Sequence, residues 1–421
     1  MDYYLGIDFG TSGARAVAID SEGQVWATAN VAFPAESFDW AILWRDTLFG
    51  LIAQIPQELK QQIRSIAING TSSTVLLCDA AGNPLDQPLF YNNDRGAAVL
   101  DWVKSIAPAN HTVVSATSSL AKLLWWANQI GSHPSSHIAH AFFLHQADWL
   151  SFLLHGKLGI SDYHNALKLG YDVEALRYPD WMDNLPGGFH LPQVLVPGTP
   201  IAPIMTECAD RLGLPQTCLI CAGTTDSIAA FLASGVQAPG EAVTSLGSTL
   251  VLKLLSETRV DDASHGIYSH RFGNLWLVGG ASNTGGAVLQ HFFSRAELAA
   301  LSQQIDPNQE SLLHYYPLLK PGERFPVNDP QLLPQLKPRP DRPVEFLHGL
   351  LESMARIEAQ GYQLLQKRGA TPLQCVYTAG GGAKNETWAA IRSRHLGVPV
   401  RRSIQTEAAY GTALLAMRGQ G

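Results

Sequence analysis

No apolar run in the chain reaches the roughly 20 residues that a bilayer requires. The N-terminus has neither a basic patch nor an apolar segment behind one, because strand-forming residues begin at Tyr3. Neither a secretory leader nor a membrane partner is therefore expected. Positive charge is also short: 29 Lys and Arg against 36 Asp and Glu give a net charge of −7. A nucleic-acid partner would call for the opposite balance. The basic run at residues 392–402 is mixed with apolar residues and reads as a solvated face. Cysteines number five, an odd count that suits a reducing compartment, so the expected location is the cytoplasm. Cys218 and Cys221 have the spacing of a redox or metal pair, yet Leu219 and Ile220 between them mark a buried strand. His133, His137, His140, His145 and His155 are irregularly spaced with no carboxylate at ligand distance, so no metal is expected there. The chain has no GxxxxGK[ST] and no GxGxxG after its first strand, which excludes a P-loop and makes a dinucleotide fold a poor fit.

What is present is a strand–turn–strand at residues 3–20, around Asp8-Phe9-Gly10-Thr11-Ser12-Gly13. Glycines and hydroxyls in such a turn can offer backbone N–H groups to an anion, or can simply close a hairpin. Asp8 ends the first strand, where it can hold a hydrated divalent cation beside that anion. Residues 241–255 repeat the pattern: Gly247 falls on Gly10, and Ser248-Thr249 on Thr11-Ser12. With 421 residues, 46% hydrophobic and 15% charged, this predicts two related, well-buried domains.

Between and beyond these turns, residues 25–33 predict a third strand, 46–54 and 58–64 helices, and 63–69 a short strand leading into Gly70-Thr71-Ser72-Ser73. Tyr91-Asn92-Asn93-Asp94-Arg95 follows an apolar segment and is a candidate ligand contact. Residues 118–130 form a Leu- and Trp-rich helix, and 147–155 a second. Residues 218–226 form a strand ending in Gly223-Thr224-Thr225-Asp226 before a helix. Asp226 is either a reacting carboxylate or a helix cap, and the roles are compatible. Residues 308–343 are Pro-rich and read as an ordered surface loop or a crossover between elements, followed by a long amphipathic helix over 343–367. A strand then ends in Ala379-Gly380-Gly381-Gly382-Ala383-Lys384-Asn385, a side-chain-poor platform at a helix N-terminus. Two hydroxyl-rich turns, a strand-end aspartate and a glycine platform are the parts phosphoryl transfer needs.

In this order, GIDFGTSGARA (6–16), GTTDSIAA (223–230), SLGST (245–249), GERFP (322–326), AGGGAKN (379–385) and EAAYGTALLA (407–416) resemble the FGGY family of carbohydrate kinases, within the actin/hexokinase/heat-shock-chaperone ATPase superfamily. The resemblance implies an α/β fold of two actin/hexokinase-like (ribonuclease H-like) domains. Each would be a mixed five-stranded sheet flanked by helices, with the active site in the interdomain cleft. The domains would be 1–233, joined by the final helix at 407–421, and 234–406. It implies ATP and Mg²⁺, with Asp8 at the metal and Gly10, Thr11, Ser12 and Arg15 at the phosphates. Gly247, Ser248 and Thr249 would touch phosphate, and Gly381, Gly382 and Asn385 would hold adenosine. Asp226 would be the general base on a sugar hydroxyl, so Asp8 and Asp226 are the catalytic candidates.

Substrate contacts are expected from Asp8, Thr71, Ser72, Ser73, Asp94, Arg95 and Asp226. Xylulokinases carry Gln-Met-His-Gly after the residue 63–69 strand; Gly70-Thr71-Ser72-Ser73 is closer to the Thr-Cys-Ser of the ribulokinase-like branch. The family's Trp-x-Asp-x-Arg is also altered, to Tyr91-Asn92-Asn93-Asp94-Arg95. The expected substrate is a ketopentose phosphorylated at its terminal hydroxyl, D-ribulose first and D-xylulose second. A nucleotide-binding sensor or scaffold on the same fold is the alternative, and the chain would be a monomer or homodimer.

Overall fold

Alternating apolar residues over the first 32 positions build an antiparallel meander. Its strands are β1 (Tyr3–Phe9), β2 (Gly13–Asp20) and β3 (Val25–Ala32), paired so that Asp8 lies opposite Arg15. The computed structural model describes residues 1–132, 140–183, 185–186 and 188–419; His133 and His137 fall outside them. Helix α1 (Trp40–Gln54) begins well before residue 46 because the Asp39 carboxylate accepts the Ile42 N–H at 3.0 Å and caps it. The expected helix at 58–64 shrinks to one turn, Gln57–Lys60, since Ile63 already belongs to the next strand. That strand, β4 (Ile63–Gly70), is buried almost throughout, as a strand covered on both faces is, and runs parallel to β1.

After β4 the chain forms a small hairpin from Val75–Cys78 and Phe142–His145, with helix α2 (Ser119–Ser132) between its strands in sequence. Helix α3 (Gln146–His155) follows directly. The first sheet is completed by β5 (Pro200–Pro203) and β6 (Leu219–Thr225), followed by α4 (Asp226–Ala233). Its order is β3-β2-β1-β4-β6-β5, with β6 parallel to β4 and β5 antiparallel at the edge.

The second sheet uses β7 (Glu241–Leu246), β8 (Leu250–Ser256), β9 (Tyr268–Phe272), β10 (Leu275–Ser282), β11 (Cys375–Ala379) and β12 (Val400–Arg402). Its order is β9-β10-β8-β7-β11-β12. From β10 to β12 the senses are antiparallel, antiparallel, parallel, parallel, the same as from β3 to β6. The duplication seen in the two turns therefore extends to whole sheets. Each sheet has six strands, not five, because an antiparallel edge strand is added to the shared core. In the first sheet that edge is Pro-Ile-Ala-Pro, whose prolines are tolerated where no further strand pairs.

Residues Met1–Ala233 with Glu407–Gly421 form one compact unit, and Ser234–Thr406 another. The first unit's core joins Leu5, Ile7, Trp44, Leu48 and Leu150, with a separate cluster around Val75, Leu120, Leu124 and Phe143. In the second unit, helix α5 (Pro343–Lys367) buries Phe346, Leu350, Met354 and Ile357 against Leu252 and Val278. Residues 308–342 are irregular as expected, yet not confined to the surface: Leu318 and Phe325 are buried. Arg392, on helix α6 (Glu386–Leu396), is buried too, contrary to the solvated face expected there. Its guanidinium holds both oxygens of Glu358, at 2.6 and 2.7 Å, and Thr378 Oγ1 at 2.7 Å. A two-pronged pair of this kind offsets much of the cost of burying charge. Arg401 and Arg402 are exposed.

The last helix, α7 (Ala408–Arg418), packs on β1 and on α4 within the first unit. Contact is backbone to backbone. A Cβ on Gly6 would lie 2.1 Å from the Ala409 carbonyl, and one on Gly411 would lie 1.8 Å from that of Ala229. Two buried hydrogen bonds fix the register: Asn69 Nδ2 to Thr412 Oγ1 at 2.6 Å, and Ser65 Oγ to the Ala416 carbonyl at 2.8 Å.

Candidate active site

Three neighbouring parallel strands, β1, β4 and β6, end together at Phe9, Gly70 and Thr225. Pairing sets Asp8 beside Asn69 and Asn69 beside Thr224, so the residues at these carboxyl ends share one edge, where ligands of open α/β sheets gather. Asp226 is the first residue of α4, and its carboxylate accepts the Ser227 N–H at 2.7 Å. Asp8 Oδ1 is buried and has no hydrogen-bond partner. Burial, and then the Asp226 carboxylate near it, push the Asp8 carboxyl up to about 7. Arg15 and Asn69 pull the other way, and Glu407 adds to the rise. The two aspartates read from the sequence are thus electrostatically coupled.

The turn between β1 and β2 leaves Thr11 and Ser12 exposed, while the Gly10 N–H bonds internally to the Gly13 carbonyl at 3.0 Å. That N–H closes the turn, so any outward-facing donors must come from its neighbours. Arg15 is exposed and forms an ion pair with Glu407, the residue just before α7. Glu407 opens the motif at residues 407–416, but nothing in the sequence pairs it with Arg15, 392 positions away.

The segment after β4 is more constrained than its sequence suggests. Thr71 is buried; its N–H and Oγ1 both meet Gln146 Oε1, at 3.0 and 3.2 Å, and its Oγ1 lies 2.5 Å from Thr74 Oγ1. The Thr71 hydroxyl therefore braces the loop against α3. Ser72 is half-buried. Ser73 is buried in a left-handed conformation, φ 63°, and its Oγ has no partner. Asp94 is exposed and caps nothing with its side chain, while the Arg95 guanidinium lies over the Trp125 ring at 5.0 Å. Lys122, unremarked in a Leu- and Trp-rich helix, is buried and reaches both of these segments. Burial and the Lys168 charge lower its ammonium to about 7.

His140 is exposed, while His145, His155 and the cysteines behave as ordinary interior groups. His145 Nδ1 lies 2.9 Å from Asp148, and His155 Nδ1 accepts the Lys157 N–H at 3.0 Å. All five cysteines are free and buried, with Cys218 and Cys221 pushed up to about 12. Among the described residues one group has metal-ligand spacing, Glu310, Glu352 and His395, but Glu352 is already paired with Arg394 and His395.

The second unit holds a cavity of ≈ 740 Å³, within the range of small-molecule sites. Gly247, Ser248, Gly381, Gly382 and Asn385 all line it; Thr249 does not. Gly381 has nothing within 4 Å of where a Cβ would stand, so its surface is bare backbone. Asn385 caps α6 by accepting the Trp388 N–H at 3.0 Å and donates to Ser302 Oγ at 2.8 Å. It knits two walls of the cavity together. Gln290, Arg295 and Ser302 also line it, from helices outside any of the sequence motifs.

The N-terminal domain of the FGGY family of carbohydrate kinases matches residues 3–233, and the family's C-terminal domain matches residues 242–419. A xylulose kinase of Escherichia coli (strain K12) is 25% identical over 91% of this chain and 83% of its own length. A gluconokinase of Bacillus subtilis (strain 168) is 21% identical over 93% and 82%. Among solved structures, ligand-bound xylulose kinase from Lactobacillus acidophilus superimposes with a TM-score of 0.84 at 18% identity, covering 100% of this chain and 89% of the other. Plasmodium falciparum glycerol kinase with ADP gives 0.83 at 17% identity, covering 100% and 90%. No helix among the described residues is long and apolar enough to cross a membrane. The chain belongs to the FGGY family of carbohydrate kinases.

Proposed function

We propose that the chain transfers the γ-phosphoryl group of ATP to the terminal hydroxyl of a ketopentose, D-xylulose or D-ribulose, with Asp226 as general base. The observation that carries this reading is the placement of Asp8 and Asp226 at the carboxyl ends of β1 and β6, the two strands that flank β4 in one sheet. Asp226 would take the hydroxyl proton as the sugar oxygen bonds to the γ-phosphorus. The bond from that phosphorus to the bridging oxygen breaks, and ADP leaves. Thr11 and Ser12 would line the phosphates, and the cavity with Gly381 and Gly382 would take the nucleoside. Arg15 would balance phosphate charge while anchored by Glu407.

Asp8 suits Mg²⁺: a buried carboxylate oxygen without a hydrogen bond, next to a second carboxylate, is a donor set for a hard divalent cation. Bound there, the ion supplies positive charge against the phosphates. The choice of sugar rests on two opposed observations. Thr71-Ser72-Ser73 favours D-ribulose, whereas relatives named xylulose kinase at 21–25% identity favour D-xylulose.

An ADP-release assay over D-xylulose, D-ribulose, L-ribulose, glycerol and D-gluconate tests the reading. One of the two D-ketopentoses should give the highest kcat/KM. Asp226→Asn should lower kcat by about 10²–10⁴ while ATP binding persists. ATP binding without sugar-dependent ADP release anywhere on the panel would favour a nucleotide sensor instead, and near-normal turnover in the variant would remove Asp226 from its role.

A further inference from the structure

Lys122 is fully buried on α2, and its ammonium donates to two backbone carbonyls: Ser73 at 2.7 Å and Phe90 at 2.6 Å. Ser73 closes the loop after β4, and Phe90 leads into Tyr91–Arg95. The first of these segments departs from the xylulokinase pattern, and the second from the family's Trp-x-Asp-x-Arg. The same segments are linked again by Thr74, whose Oγ1 accepts the Tyr91 N–H at 3.0 Å. Val75 and Leu89 then exchange backbone hydrogen bonds at 3.0 and 2.8 Å.

A buried lysine is a costly way to fill a core, since a Met of similar length would pack without losing hydration. The residue it holds is itself strained. Ser73 adopts φ 63°, a left-handed conformation that strains a non-glycine residue, and its hydroxyl is buried without a partner. Costs of this kind persist where neighbouring structure holds a group in place for a ligand.

We propose that Lys122 is the positioning residue of the sugar site, fixing the distance between Ser72-Ser73 and Asp94-Arg95 and thereby which sugar is accepted. The inference rests on the assignment of those loops to the sugar under the proposed function. Lys122 does not touch the sugar; it acts through the two carbonyls it ties together.

The test compares Lys122→Met, which keeps length and removes the donors, with Thr74→Val, which cuts the second link. Sugar KM and kcat, the D-xylulose to D-ribulose ratio of kcat/KM, ATP affinity by calorimetry and the melting curve are measured for each. Lys122→Met should raise sugar KM about tenfold or more and flatten the ratio, with kcat at saturating sugar changed far less and ATP affinity unchanged. Thr74→Val should move the same quantities in the same direction by a smaller factor. A folded Lys122→Met with wild-type sugar KM and ratio overturns the proposal. So does a loss that falls equally on sugar, ATP and kcat. If Lys122→Met does not fold, an unchanged KM and ratio in Thr74→Val overturns it. Absence of sugar turnover in the wild-type chain would instead strike the kinase reading, and this inference with it.

Discussion

A carboxyl group that titrates near 3.9 in an unfolded chain and near 7 in the fold makes stability depend on pH. Between those values native Asp8 binds a proton that the unfolded chain has released. Its contribution therefore falls as pH rises from about 4 to about 7, and the cost is complete above that. Asp8→Asn removes the charge and the cost together. At pH 8 the unliganded variant should unfold at a higher temperature than wild type, by about 1–3 kcal/mol of stability, with the difference fading towards pH 4. Mg²⁺ should raise the wild-type melting temperature at pH 8 and leave the variant unmoved. Calorimetry settles both points, and an equal Mg²⁺ response in the two proteins would take the metal away from Asp8. At this scale Asp8 and Asp226 were legible because each closes an apolar strand. The actual uses of Thr71, Arg15 and Lys122 were not, since their partners lie 75, 392 and 49 residues away.

Elements were read better than residues, because their signals are local. The long helix α5 and the two strand–turn–strand units follow directly from periodicity. Misses came where one local rule was outweighed by another. The Asp39 cap starts α1 early, and β4, beginning at Ile63, cuts the helix expected at 58–64 to one turn. Helix α7 shows what an element can owe to a single glycine. Gly411→Ala would drive a methyl group into the Ala229 carbonyl, with the Ala233 amide 3.0 Å from the same point. Backbone cannot retreat as a side chain can, so a loss of about 3 kcal/mol or more is expected. Gly50, on α1, has nothing within 4 Å, and Gly50→Ala should instead stabilise by about 0.5–1 kcal/mol through helix propensity. Denaturant unfolding of the pair checks this; equal effects would mean that α7 does not approach α4 as closely as described.

Across the whole molecule, each compact unit has its own sheet and its own core, so substitutions can be sorted by unit. Gly381→Leu starts a side chain on the second unit's cavity at a point where a Cβ has no atom within 4 Å. It should weaken nucleotide binding about tenfold or more while leaving the melting temperature of the unliganded protein and the affinity for sugar unchanged. Calorimetry with ADP and with the sugar reads the two separately, and unimpaired ADP binding would move the nucleoside out of that cavity.

The sequence alone determined the family, the paired turns and the aspartates at the ends of β1 and β6, because periodicity and turn chemistry act over a few residues. Tertiary structure decided the rest. It gave each sheet a sixth strand, buried Arg392 against Glu358, coupled Asp8 to Asp226, and tied the segments after β4 and before Tyr91 to Lys122. Those outcomes depend on which distant groups share a volume from which water is excluded. Only in such a volume does the energy of a charge or of a hydrogen-bonding group change enough to alter what the residue does.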